Sequence, residues 1–384
     1  MNNSNNRIFV DIHVLQSLPP SCVNRDDTGS PKTAMYGGIR RARVSSQSWK
    51  HAMREMFKES FDENEVGKRT KLCLDWVVDK MIDLDNSIDR NIAVKYARDT
   101  INIASAKKDK PIIPEPKKSE KSKEDSDDSD ALLFLAPKQI EKTAELALEW
   151  MKTNKKPEKE TVSQSLNYGC TIDIAMFGRM VAKAPELGID ASAQVAHAIS
   201  THKVENEYDY YTAMDDRAPE NQVGAGMIGT IEFNSSTLYR YATVAAHDLK
   251  KNLGDANTVK KAVKEFIRAF VCSMPTGKLN TFANATPPYA VMVAIRRDQP
   301  VNMVGAFETP VKAGEGGYQE KSAKALADYA KIVYKKFFNV PEKAFYTSIS
   351  NEFAELGEEM ELPKLLEKTE QIIKSLLQED GVQA

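Results

Sequence analysis

In RIFVDIHVLQSLPPSCVNRDDTGSPKTAMYGGIRRARVSSQSWKHAMREMFKES, residues 7–60, a strand, a turn-rich stretch and the start of a helix follow one another. Ile8, Val10, Ile12 and Val14 alternate with Phe9, Asp11 and His13, which predicts a strand with one buried face. The stretch from Leu18 to Val44 contains Pro19-Pro20, Gly29, Pro31 and Gly37-Gly38 and reads as a succession of turns. Ser45 or Ser46 then caps a helix whose Trp49, Ala52, Met53, Met56 and Phe57 share an apolar face. Lys50, Arg54 and Lys58 recur on another face of that helix.

Downstream, the residues from about Asp62 to Ala104 read as helices. From Ala106 to Asp130 the pattern dissolves into a segment with seven Lys and eight Asp/Glu among Pro and Ser. Such a composition buries too little apolar surface to offset its ordering entropy, so a disordered surface insertion is expected there. Helical periodicity returns from Pro137 to Lys152. TIDIAMFGRM (171–180) reads as a short strand running into a glycine turn, and Ala191 to Ser200 as a helix of small apolar residues. Thr201 to Gly229 is a long polar loop with embedded tyrosines, a kind of segment that usually serves function. TIEFNSSTLYRYATV and YAVMVAIR read as strands, Thr258 to Cys272 as a helix, and the tail from Lys321 onward as helical. Strands separated by helices, with a large helical insertion, predict the α+β class.

The chain has 384 residues and a formal net charge of −2, which by itself argues neither for nor against a polyanionic partner. The distribution says more. Arg25 to Lys58 holds eight Lys/Arg against three Asp/Glu, and Pro341 to the end holds four against ten. A phosphate chain feels local charge, because screening cuts off anything beyond roughly 10 Å. Cys22, Cys73, Cys170 and Cys272 show no paired spacing for zinc or a disulfide, which fits a reducing compartment. No apolar run approaches the ~20 residues of a membrane span and no signal peptide is visible, so a cytoplasmic protein without membrane contact is expected. Walker, dinucleotide and nucleophile-elbow motifs are absent from the sequence, and no cofactor or metal is expected.

Arg40, Arg41 and Arg43 stand just before a helix start with Ser45, Ser46 and Gln47. Free backbone N–H groups at a helix N-terminus, together with guanidinium forks, match phosphate oxygens. Lys50 and Arg54 continue that track. Lys278 and Asn280, in MPTGKLN, offer a second phosphate or ribose contact. Asp26 and Asp27 are the one adjacent acidic pair in this region, and a turn cap competes there with a metal-holding role. Tyr208, Tyr210, Tyr211 and Met214 lie in an acidic loop that repels phosphate, so any contact with RNA there is by stacking or wedging.

IHVLQSLPPSCVNRDD, GGIRRARVSSQSWKHAMR, IAMFGRM, AHAISTHKVENEYDYYTAMDD and GAFETPV together resemble the CasC family, the backbone subunit of the type I-E CRISPR Cascade complex. The resemblance implies an RRM-like (ferredoxin-like) palm with a helical fingers insertion and a β-hairpin thumb. On this chain, palm segments fall at 1–59, 166–199 and 233–384, fingers at 60–165 and thumb at 200–232. It implies a non-catalytic antiviral-defence subunit that binds CRISPR guide RNA, stacks with copies of itself and other Cascade subunits, and presents the guide to target DNA. The matching RNA-binding positions are Arg25, Arg40, Arg41, Arg43, Ser45, Ser46, Gln47, Lys50 and Arg54. Arg179 and Met180 match FGRM, with Met180 as a wedge beside a displaced base, and Lys278 and Asn280 match more loosely. A related subunit of the RNA-targeting type III complexes cuts RNA with a loop aspartate, for which Asp26 and Asp27 are the alternative candidates here.

Overall fold

The computed structural model describes residues 7–107, 109–115, 132–213 and 227–382. They fold as two compact units, Met1–Met56 with Ala193–His247 and Val259–Ala384, and Phe57–Ser192 with Asp248–Thr258.

The first unit carries strands β1 (Phe9–Ser21), β2 (Thr33–Tyr36), β3 (Ile39–Val44), β6 (Ala193–Val195), β7 (Ala198–Ser200), β8 (Glu207–Ala213) and β9 (Met227–Ala245). It continues with β10 (Ala290–Arg296), β11 (Lys343–Ser348) and β12 (Glu358–Glu359). Its helices are α9 (Leu279–Phe282), α10 (Gln319–Lys336) and α11 (Leu362–Val382), and the chain crosses between units within α1 (Ser46–Ser60), α7 (Ala246–Leu253) and α8 (Ala256–Cys272). The second unit holds β4 (Lys68–Thr70), β5 (Leu133–Leu135), α2 (Cys73–Leu84), α3 (Arg90–Ile103), α4 (Pro137–Thr153), α5 (Lys159–Asn167) and α6 (Ile172–Phe177). The observed class is α+β, and among the described residues no helix is long and apolar enough to cross a membrane.

One sheet organises the first unit, in the order β12-β11-β10-β1-β9-β7-β3-β2, with β6 and β8 also paired to β9. β1 is central and antiparallel to both neighbours, with Val14 opposite Val291 on one side and Arg240 on the other. Both of its faces are buried, not one as expected. Leu15, Tyr239, Tyr241 and Met292 pack with Phe307, Leu326 and Ala330, so α10 covers that side. On the opposite side the Arg240 guanidinium lies over Trp49 of α1 and Phe270 of α8. A strand covered on two sides shows near-continuous burial, and here Asp11 and His13 are taken inside with partners. Asp11 accepts hydrogen bonds from the Tyr241 hydroxyl and the Val301 N–H, each at 2.9 Å.

The second unit packs α2, α3, α4 and α5 around Leu74, Val77, Met81, Ala97, Ile101, Ala144, Leu148 and Val162. Pro137 begins α4, where its missing N–H costs nothing, and the Asp89 side chain caps α3 through Asn91 and Ile92 N–H.

Several expectations are corrected here. The stretch from Leu18 to Val44 contains the β2–β3 hairpin, because its alternation is masked by proline and glycine. Residues 172–177 form a helix, α6, with all six residues buried. Residues 193–200 form β6 and β7, whose pairing with β9 overrides helix-compatible composition. Within the segment expected to be disordered, Ile112 and Ile113 join the helical core, and Asn102 holds Ile113 by hydrogen bonds to both its N–H and its C=O. Lys108 and residues 116–130 of that segment lie outside the described residues. The second unit runs to Ser192, past the expected return at 166, and the tail contains the strand β11 between its helices.

Candidate nucleic-acid interface

β1 ends at Ser21, and three segments of the first unit gather at that end. Asn24 organises two of them. Its side-chain oxygen accepts from Ser45 N–H at 2.9 Å and its carbonyl from Lys32 N–H at 2.9 Å, tying the 25–31 loop to the start of α1. Arg25, exposed, pairs across that loop with Pro31 in a single β-bridge. The third segment is PTGKLN. A Cβ at Gly277 would overlap the Val23 carbonyl, so only glycine lets this loop lie on residues 22–23. Lys278 follows at φ 52° and Asn280 is exposed. Burial pushes the Cys22 thiol pKa up, while Arg25 and Lys278 both pull it down, which places the two cations around one residue.

α1 supplies donors. Ser45 is buried and its hydroxyl accepts from Ser48 N–H at 3.3 Å, so it serves as the cap. Ser46 is half-buried and Gln47 exposed in the first turn, and Lys50 and Arg54 are half-buried further along.

The three arginines lie in β3, not in a turn, and strand alternation divides them. Arg41 and Arg43 face one side and Arg40 the other. Arg40 is exposed. Arg41 is fully buried and donates to the carbonyls of Tyr36 (3.2 Å), Ser200 (3.1 Å), Phe307 (2.7 Å) and Glu308 (3.4 Å). The expectation that Arg41 holds phosphate is corrected, since its donors are spent on the protein's own backbone. Arg43 is half-buried, with Nε donating to Thr33 C=O at 3.2 Å and a terminal nitrogen 3.3 Å from His197 Nδ1. Burial first, then Arg43 and Lys32, lowers the His197 pKa. Lys32 and His197 therefore join the surface that Arg43 reaches. Neither stood out in the sequence, because strand pairing assembles them.

Arg179 is corrected in the same way. It is buried in the second unit and donates to Leu187 C=O (2.8 Å), Phe134 C=O (3.2 Å), Gln139 (3.0 Å) and Asn167, and burial brings its pKa down to about 10. Met180 beside it is 88% exposed, an unusual position for so apolar a side chain. In the β8–β9 hairpin Tyr208 and Tyr210 are exposed on one face, while Tyr211 lies across Gly229. Met214 lies outside the described residues. Asp26 accepts from Thr28 N–H, the Thr28 hydroxyl and Ser30 N–H, and the Thr28 bond leads in lowering its pKa. That is a turn cap. Asp27 is exposed, and no group of three or more His, Cys, Asp or Glu with metal-holding geometry occurs among the described residues.

The large antiparallel-rich sheet with its inserted helical unit and the β8–β9 hairpin is a fold shared with chains of known complexes. The chain is similar to a chain of a "CRISPR RNA-guided surveillance complex, pre-nicking", with a TM-score of 0.83 and 33% identity over 95% of this chain and 100% of that one. It is also similar to a chain of a "CRISPR RNA-guided surveillance complex", with a TM-score of 0.71 and 29% identity over 94% and 99% of the two chains. The chain belongs to the CT1975-like protein family (Cas_CT1975), whose profile matches residues 10–373. No curated protein matches it.

Proposed function

We propose that this chain is a non-catalytic CRISPR-RNA-binding subunit of a type I-E-like Cascade complex. Its RRM-like sheet grips guide RNA by the backbone, copies line up along that RNA, and the guide is presented for pairing with target DNA. The observation that carries this reading is the gathering of Arg25, the N-terminus of α1 and Lys278 at one end of β1. Cations and helix-terminal N–H groups bind phosphates without reading bases, which suits a subunit that leaves sequence recognition to the guide. The exposed Tyr208 and Tyr210 on a projecting hairpin suit contact with a neighbouring copy or a displaced base. Head-to-tail contacts of that kind build open filaments whose length follows the RNA. Asp26, with its carboxylate turned into its own loop, favours a structural over a hydrolytic role.

The test is binding of single-stranded RNA of varied sequence across a salt series. Affinity should be indifferent to sequence and fall steeply with salt. Replacing Arg25, Arg40 and Lys278 together by Ala should lower the log–log slope by about 2, on the order of 0.7 per lost phosphate contact. Binding that ignores salt, or purified protein that never carries RNA, would overturn the reading.

A further inference from the structure

Arg240 of β9 is 1% exposed and lies where α1, β1 and α8 meet. Resting on the RNA-binding role proposed above, we infer that Arg240 is a positioning residue for RNA. Its guanidinium holds the first turn of α1 and the Lys278 loop in one fixed arrangement.

Two arms of the candidate interface lead back to this side chain. On the first, the guanidinium carbon lies 3.7 Å from the centroid of the Trp49 ring, close enough for direct stacking. Trp49 N–H also closes the first turn of α1, donating to Ser45 C=O at 3.2 Å. Fixing that ring therefore fixes the turn that presents Ser46 and Gln47. On the second arm, one terminal nitrogen donates to the Gln16 side-chain oxygen, and the other to Phe270 C=O near the end of α8. Gln16 passes the constraint on, because its amide nitrogen donates to Thr286 C=O at 2.6 Å. The Thr286 hydroxyl returns to Ser17 C=O at 2.8 Å, and Asn284 donates to Gly277 C=O at 3.3 Å. The segment 277–286, which carries Lys278 and Asn280, is thus pinned at both ends.

Stability by itself does not ask for arginine here. Among the described residues no carboxylate pairs with the guanidinium and its Nε has no partner, and burial brings its pKa down to about 9. A buried charge without a counter-ion is costlier to the fold than an apolar side chain of similar volume. What arginine supplies is a flat cation that stacks on an indole while donating in two directions. Methionine could fill the space without joining the two arms. The donors at the start of α1 and the Lys278 ammonium come from segments far apart in the chain, so holding them in register for one phosphate strand needs such a link.

The experiment measures single-stranded RNA binding across a salt series, using the full chain as wild type, Arg240→Met, Gln16→Leu, Lys278→Ala and the Arg240→Met/Lys278→Ala double variant. Arg240→Met and Gln16→Leu should each weaken binding on the order of 10-fold at fixed salt. Both should keep the wild-type log–log slope, because neither gives up a phosphate contact, whereas Lys278→Ala should lower it by about 0.7. In the double variant the two losses should fall short of multiplying, since Arg240 acts through the loop that carries Lys278. A merely structural residue would leave the affinity of the folded protein unchanged. Wild-type affinity in folded Arg240→Met, a lowered slope in that variant, or losses that multiply would overturn the positioning role and leave RNA binding standing. Should Arg240→Met not fold, Gln16→Leu decides alone: wild-type affinity overturns the role, and a loss at unchanged slope upholds it. Wild type that fails to bind RNA would overturn both readings.

Discussion

Arg41 is a buried cation held by the carbonyls of residues from the β2–β3 turn, β7 and the 307–308 segment, with the Glu308 carboxylate near enough to act on its charge. Burial lowers its pKa, which measures how poorly the site solvates the charge. Its value lies in the acceptors it satisfies, because each buried carbonyl left without a donor costs about 1–3 kcal/mol. Arg41→Ala should therefore lower the unfolding free energy by about 3 kcal/mol or more in a denaturant titration. Arg40→Ala, one residue away but exposed, should stay within about 0.5 kcal/mol of wild type while weakening RNA binding. If both variants unfold at the wild-type midpoint, the carbonyl clip has no energetic role. Arg41 and Arg40 are indistinguishable as residue types, so only their environment separates a fold-holding guanidinium from an available one. Arg179 carries the same lesson: it looked like chemistry for a partner and is consumed by its neighbours.

At the scale of elements, the legible features were those whose pattern is self-contained. Thr258 to Cys272, Pro137 to Lys152 and the strand through Leu238 to Val244 carry periodicities that local physics determines, and the structure places α8, α4 and β9 there. The misread elements are short; β6 and β7 take partners distant in sequence, while the local β2–β3 hairpin is interrupted by Gly37-Gly38. β7 gains its identity from Tyr239 and Leu238 of β9, some forty residues away. The candidate site shows the same division. The capped start of α1 is visible in SSQSWK, but its union with the Lys278 loop depends on contact between Gly277 and residues 22–23. Gly277→Ala must push that loop away. It should destabilise the protein by about 1–3 kcal/mol and also reduce RNA affinity, measured by thermal melts and binding at fixed salt. A variant that loses stability but keeps full affinity would separate Lys278 from the interface.

For the whole molecule, stability as a function of pH offers a test of the buried centre of the sheet. Desolvation raises the Asp11 pKa from 3.8 to about 6, against the opposing hydrogen bonds from Thr243, Val301 and Tyr241. The folded state thus binds the proton more tightly than the unfolded chain. Asp11 favours folding fully below pH 4, and that contribution is lost as pH rises through 6, by a few kcal/mol, on the order of 3. Other carboxylates act in the opposite sense, so the measurement is a difference. The stability of wild type minus that of Asp11→Asn should decrease between pH 4 and 7, and a flat difference would mean that the carboxyl is solvated. Read alone, the amino-acid order determined the class, the long helices and strands, the family likeness and the cationic start of α1, because periodicity, capping and local charge act over a few residues. Which arginines reach solvent, which short segments become strands, and which loops share one end of β1 were decided only by the tertiary structure. Those outcomes rest on burial and on pairing between residues far apart in the chain, and no local pattern encodes them.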